Sequence, residues 1–211
     1  FNLPAREVGG DFYDYIPVGE GCWGVEIADV SGKGVPAALF MALSRTLVRA
    51  SASENPDPAG SILEANRYIC MDSKTCMFVT LFYGILDTRK GTFTYVNAGH
   101  NPPLLFRAGS SEAVLLRGKG IALGIFDDIE LELMELRLNP GDTVVFYTDG
   151  VTEATNERDE EYGMERLTAL IPGLLGLGAR EMIDAIVSDV TAFAGDGPQF
   201  DDITLVVLKV G

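Results

Sequence analysis

Apolar and polar positions follow two rhythms along this chain. Short runs rich in Val, Ile, Phe, Tyr and Thr, bounded by Gly, Pro and Asp, predict extended segments. They fall near 22–29, 77–87, 92–98, 103–107, 113–117, 130–138, 142–148 and 203–210. Asp87-Thr88-Arg89-Lys90-Gly91 reads as a hairpin connection between two of them. In ELELMELRL the alternation holds for Leu131 and Leu133, then shifts phase at Met134, Leu136 and Leu138. A one-residue β-bulge would absorb that shift.

The second rhythm is helical. VPAALFMALSRTLVRA puts Leu39, Leu43 and Leu47 on one face, with Pro36 at an early helical position. DPAGSILEANRYICM starts with Asp57 as a cap and Pro58 at the first position. AREMIDAIVSDVTAF places Met182, Ile186, Val190 and Phe193 at helical spacing, with Ile183 and Val187 beside them. A shorter helix covers Met164 to Ile171. The order is strand, two helices, a long run of strands, two helices, strand. Strands in an uninterrupted run are antiparallel neighbours rather than crossover units. The expectation is an α+β layered fold, with helices covering antiparallel sheet, in a single domain over 1–211.

Composition narrows the function. The chain has 211 residues, 47% of them hydrophobic, enough for a substantial core. The formal charge is −15, from 31 acidic and 16 basic residues. Nucleic acid needs a basic footprint, so it is not the expected partner, and an anionic membrane surface is disfavoured for the same reason. No apolar run approaches the roughly 20 residues that span a bilayer, and no signal peptide is visible. The abrupt opening Phe1-Asn2-Leu3-Pro4 reads as a fragment of something longer. Cys22, Cys70 and Cys76 are odd in number and lack framework spacing. They read as free buried thiols in a reducing cytosol. Zinc is disfavoured, with His100 the only histidine and no Cys-x-x-Cys.

Aspartates stand at four loop-like places: Asp11 in VGGDFYD, Asp29 in IADVSGKG, Asp149 in YTDG, and Asp201-Asp202 in QFDDIT. Each lies where an extended segment begins or ends. Any one alone is an ordinary turn residue. Strand ends on one edge of a sheet can converge, however, and carboxylates a few ångströms apart cannot all stay ionised without compensation. Divalent cations are the common compensation, and all-oxygen ligands suit Mg²⁺ or Mn²⁺. Two metals roughly 3.5–4 Å apart serve phosphoryl hydrolysis. They would also reverse the field of an acidic protein that otherwise repels phosphate.

The motifs EVGGDFYDY, ADVSGKGVPAALFMA, MFVTLFYGILD, NAGHNPPLL, GDTVVFYTDGVTEA and DDITLVVL, in this order, resemble the SpoIIE-like bacterial branch of the metal-dependent protein phosphatases (PPM, type 2C). The resemblance runs from about Pro4 to Val210. It implies an αββα four-layer sandwich, two antiparallel sheets flanked by helices. It implies hydrolysis of phosphoserine and phosphothreonine with two divalent cations, Mn²⁺ or Mg²⁺. The substrate class it implies is a phosphorylated STAS-domain protein, an anti-anti-sigma factor whose dephosphorylation lets it sequester an anti-sigma kinase. It further implies an upstream sensor or regulatory domain and a cytoplasmic location, with a larger, membrane-anchored parent left open; it also allows a homodimer.

By motif, Asp29 bridges the two metals, and Asp149 and Asp201 bind one of them. Asp11 serves the other, directly or through water, and the Val30 carbonyl joins it. Asp202 is a weaker metal candidate, and Asp14 reads as a supporting or turn residue. Arg6, five residues before Asp11, is the candidate for holding phosphate, with a solvated surface arginine as the alternative. Eukaryotic members place a histidine after the bridging aspartate. Ser31 and Gly32 occupy that region here, so the general acid is open.

The Walker spacing is not met around Gly32-Lys33-Gly34. These glycines read as turn residues that let backbone approach a metal, and Lys33 as solvated. His100 reads as a structural hydrogen-bonding residue of the 97–103 loop. Glu157 to Glu161 reads as a solvated loop or flap, and Arg45 and Arg49 as surface residues. The rival readings are a catalytically silent phosphatase-fold binding module and, well behind it, a kinase-like nucleotide site at Gly32–Gly34.

Overall fold

A computed structural model describes residues 1–72, 77–195, 197 and 199–211. The strands are β1 (Asn2–Leu3), β2 (Phe12–Gly19), β3 (Cys22–Val30), β4 (Val79–Asp87), β5 (Thr92–Ala98), β6 (Leu104–Phe106), β7 (Ala113–Leu115), β8 (Met134–Arg137), β9 (Thr143–Tyr147) and β10 (Ile203–Lys209). The helices are α1 (Val35–Glu54), α2 (Pro58–Asp72), α3 (Asp149–Thr152), α4 (Gly163–Leu170) and α5 (Ala179–Ala194), with a 3₁₀ turn at Ile171–Leu174.

One sheet has the order β2-β3-β4-β5-β8 and the other β1-β10-β9-β6-β7, every pairing within them antiparallel. Side chains of successive strand residues point to opposite faces. Val25, Ile27, Phe82 and Phe93 of one sheet meet Leu105, Val144, Phe146 and Val206 of the other in the central core. The intervening residues Ala28, Val30 and Leu81 pack under α1 and α2. Val145, Tyr147 and Leu205 pack under α4 and α5. Sheets covered on both faces explain why runs such as VVFY are apolar throughout. The result is the expected αββα sandwich.

Asp57 caps α2 by accepting a hydrogen bond from the Gly60 amide at 2.9 Å. In the 87–91 connection Gly91 has φ 68°, and the Asp87 carboxylate accepts from the Arg89 and Lys90 amides.

Several expectations are corrected. The sequence pattern misses β2, because Asp14 occupies a position on its buried face; Asp14 is 8% exposed. It is a strand residue, held by Arg49 at 2.6 Å and Arg45 at 3.2 Å, so these two arginines are anchors tying α1 to β2. The buried stripe of α1 is Ala37, Phe40, Ser44, Val48 and Ser51, whereas Leu39 is 68% exposed. Small side chains let this helix sit close to the sheet, which displaces the leucine face sideways. The region 130–138 contains no bulge: strand β8 begins at Met134, and Leu133 is 50% exposed in the segment before it. Cys22 and Cys70 are free but only half-buried, and Cys76 lies outside the described residues. Among the described residues no helix is long and apolar enough to cross a membrane.

Candidate metal centre

Register brings the aspartates together in pairs. Phe12 pairs with Ala28, so Asp11 and Asp29 oppose each other one step further along β2 and β3. Tyr147 pairs with Leu205, so Asp149 just after β9 and Asp201 just before β10 leave the other sheet at neighbouring points. The two pairs meet across the sandwich. The Thr148 hydroxyl donates to Asp11 Oδ2 at 2.7 Å and itself accepts from the Thr204 amide at 3.0 Å.

The electrostatics of the four carboxyls are those of crowded like charges. Burial and then the neighbouring Asp29 push the Asp11 carboxyl well above the usual range. Asp29 is raised by burial and then by Asp149 and Asp201. Asp149 is raised by burial and then by Asp201. Like charges crowded in this way call for compensation, which a divalent cation would supply.

The donor set fits such a cation. It is all oxygen, and Gly10 is shaped for it: a Cβ there would stand 3.0 Å from the Val30 carbonyl oxygen, close against the backbone beside Asp11. Among the described residues no group of three or more Asp, Glu, His or Cys side chains is placed to hold a metal ion. Asp201 is occupied on one side by a lysine. Lys33 Nζ lies 2.9 Å from Asp201 Oδ2, so Lys33, exposed as its sequence setting suggests, is also ion-paired.

Asp202 differs from the other aspartates. Its carboxylate accepts from the amides of Ala5 at 2.7 Å, Gly10 at 2.6 Å and Asp11 at 3.3 Å. It holds the loop that carries Asp11. A Cβ on Gly9 would collide with this carboxylate, and one on Gly150 with the Asp202 carbonyl.

Arg6 is exposed, and its Nη1 comes within 3.9 Å of where a Cβ on Gly34 would stand, beside the loop that follows Asp29. Gly32 and Gly34 have φ of 89° and 76°, in keeping with turn roles. His100 exchanges two hydrogen bonds with Asn97, at 2.7 and 2.9 Å, and its Nδ1 lies 2.9 Å from Thr80 Oγ1. Burial pushes its ring down to about 4, so it is neutral near pH 7. Thr80 in turn reaches the Asp29 carbonyl at 3.4 Å. Most of the 157–161 segment is exposed, as expected.

Thr148, Thr80, Thr204 and the supporting role of Asp202 escape the sequence reading. The available signal is the glycines: a Cβ on Gly9 or Gly150 would collide with Asp202, and one on Gly10 would crowd the Val30 carbonyl.

The model of the family described as Stage II sporulation protein E (SpoIIE) matches residues 19–211. The chain belongs to the SpoIIE family. Within or beside that family, it is 32% identical over 210 residues to the phosphoserine phosphatase RsbU of Bacillus subtilis, covering 99% of this chain and 61% of RsbU. It is 30% identical over 235 residues to protein IcfG of Synechocystis, covering 97% of this chain and 36% of IcfG. This SpoIIE-family chain therefore spans between about a third and two thirds of the length of these relatives. Among solved structures, the SiaA-PP2C domain of Pseudomonas aeruginosa matches it with a TM-score of 0.88 at 25% identity, covering 100% of this chain and 85% of that one.

Proposed function

We propose that this chain is one metal-dependent phosphatase domain that removes phosphate from serine or threonine on a regulatory protein. The observation that carries this reading is the register that sets Asp11 opposite Asp29 and brings Asp149 and Asp201 out at neighbouring points of the other sheet, with Thr148 reaching across to Asp11. Likeness to RsbU, a phosphoserine phosphatase by name, supports the same reading.

In this proposal Asp29, Asp149, Asp201, Asp11 and the Val30 carbonyl would hold two divalent cations, Mn²⁺ or Mg²⁺, with Asp29 the residue common to both. Bound there, such ions supply an activated water and neutralise developing charge in phosphoryl transfer. The residues of the chain do the positioning. Thr148 orients Asp11, and Asp202 fixes the loop behind it through three amides. Arg6 reaches toward the incoming phosphate from beside Gly34. Asp202 acts in this scheme as a positioning residue in preference to a ligand, since its oxygens are taken up by backbone donors.

The proposed substrate is a phosphorylated STAS-domain protein, and the proposed setting is cytoplasmic, under an upstream sensor or regulatory domain, with a homodimer as one working form. The test is hydrolysis of p-nitrophenyl phosphate and of a serine-phosphorylated STAS protein, with Mn²⁺ and with chelator. Turnover is expected only with metal, and Asp29→Asn and Asp149→Asn are expected to abolish it while leaving the circular dichroism spectrum intact. Wild-type rates in both variants reject the proposal. A folded, metal-free, inactive chain that still binds the STAS protein would instead establish a silent binding module.

A further inference from the structure

A small cavity outside the roles assigned above lies between the end of α5 and the β1–β10 edge. Its volume is about 140 Å³, and Leu3, Val190, Ala194, Phe200 and Ile203 supply its apolar wall. Small-molecule and cofactor pockets run to about 300–1,000 Å³, so this one is too small for them. An apolar cavity of about 150 Å³ takes a single benzene ring, which is the size of one amino-acid side chain.

Two further features fix what kind of side chain fits and where it comes from. Gly150 and Asp201 also line the cavity, so it opens directly beside the carboxylate centre. Its wall is tied to that centre: Gln199 Nε2 donates to the Leu3 carbonyl at 2.8 Å and to the Asp201 carbonyl at 2.7 Å. Among the described residues the charged groups lining it are Glu153 and Asp201, both acidic, and Asp201 is paired with Lys33. A carboxylate entering beside Glu153 would meet like charge in an apolar pocket, which is unfavourable on both counts. Phe200, 70% exposed, stands at the rim with the Lys33 ammonium over one face of its ring.

We propose that this cavity is a specificity subsite for the protein substrate, taking an apolar side chain close to the phosphorylated residue and rejecting an acidic one. The inference rests on the phosphatase reading above. An extended chain advances about 3.3–3.6 Å per residue, so a side chain seated beside Asp201 belongs within about two positions of the phosphoserine. The subsite then selects substrates by sequence next to the phosphate, whereas a small aryl phosphate bypasses it.

The experiment measures kcat/KM of the Mn²⁺-loaded chain on phosphoserine peptides carrying Leu, Gly or Asp at each of the two positions before and after the phosphoserine. p-Nitrophenyl phosphate serves as the reference. At one of these positions Leu is expected to exceed Gly by about tenfold, the scale of burying one such side chain, with Asp below Gly. Thr191→Phe, at an exposed position on the cavity lining, and Ala194→Leu narrow the space by independent routes. Each is expected to lower the ratio of Leu-peptide to p-nitrophenyl phosphate hydrolysis about tenfold. Hydrolysis with no preference among the peptides, or a Leu preference unmoved by both variants, overturns the subsite and leaves the phosphatase reading standing. No hydrolysis of any phosphate overturns the phosphatase reading and the subsite with it.

Discussion

Lys33 Nζ lies 2.9 Å from Asp201 Oδ2, and the same ammonium donates to the Phe200 carbonyl at 2.6 Å and stands 3.9 Å over the Phe200 ring. The chain thus carries its own cation at one of the carboxylates proposed to hold a metal. An arriving ion has to compete with it for Asp201. Lys33→Met is expected to bind Mn²⁺ about two- to fivefold more tightly, the scale of a partly exposed ion pair. Titration calorimetry reads this, and the gap is expected to narrow in high salt. Equal or weaker binding by the variant refutes the competition.

Thr148 is fully buried and bridges the sheets, donating to Asp11 and accepting from the Thr204 amide. Thr148→Val keeps the shape and removes the hydroxyl. A buried acceptor and a buried donor then lose their partner. The expected loss of folding stability is about 1–3 kcal/mol, read by urea denaturation, with weaker Mn²⁺ binding alongside. A stability within error of wild type contradicts the role given to this hydroxyl.

Glu26 is fully buried on β3, and among the described residues neither of its oxygens has a hydrogen-bond partner. Asp14 on β2, Tyr83 on β4, and Arg45 and Arg49 on α1 face it. Burial, then Asp14, pushes its carboxyl from 4.5 up to about 8. The folded state therefore binds this proton more tightly than the unfolded chain. Its contribution to stability is complete at low pH and is lost as pH rises from 4.5 through about 8. Glu26→Gln is expected to flatten that decline and to melt higher than wild type at alkaline pH. Parallel Tm–pH curves for the two proteins would show that the carboxyl does not titrate in this window.

Gly150 follows the metal-site candidate Asp149, and a Cβ there would collide with the Asp202 carbonyl. Backbone cannot yield as a flexible side-chain tip can. Gly150→Ala is expected to lose about 1–3 kcal/mol, the usual cost of overpacking. Gly173→Ala, where nothing lies within 4 Å, is the matched control, expected within about 0.5 kcal/mol of wild type. Equal stability of the two variants rules out the proposed close approach.

The layering was legible because order alone separates antiparallel runs from crossover units, and the four aspartates were legible because each stands at a strand end. What stayed hidden has a common physical cause. Periodicity counts greasy side chains, but α1 packs through Ala37 and Ser44 because closeness matters more there than bulk. Strand β2 was invisible because a paired aspartate, Asp14, stands on its inner face. Asp202 looked like its neighbour Asp201 in sequence, yet three backbone amides claim its oxygens. The ion pair of Lys33 was hidden because its partner is 168 positions away in the chain. Partners distant in sequence leave no local trace.

The proposed metal site draws one pair of carboxylates from each half of the sandwich, Asp11 with Asp29 and Asp149 with Asp201. An ion held among them is a clasp across the seam. A slight slip of one layer over the other unfastens it, and fastening it resists that slip.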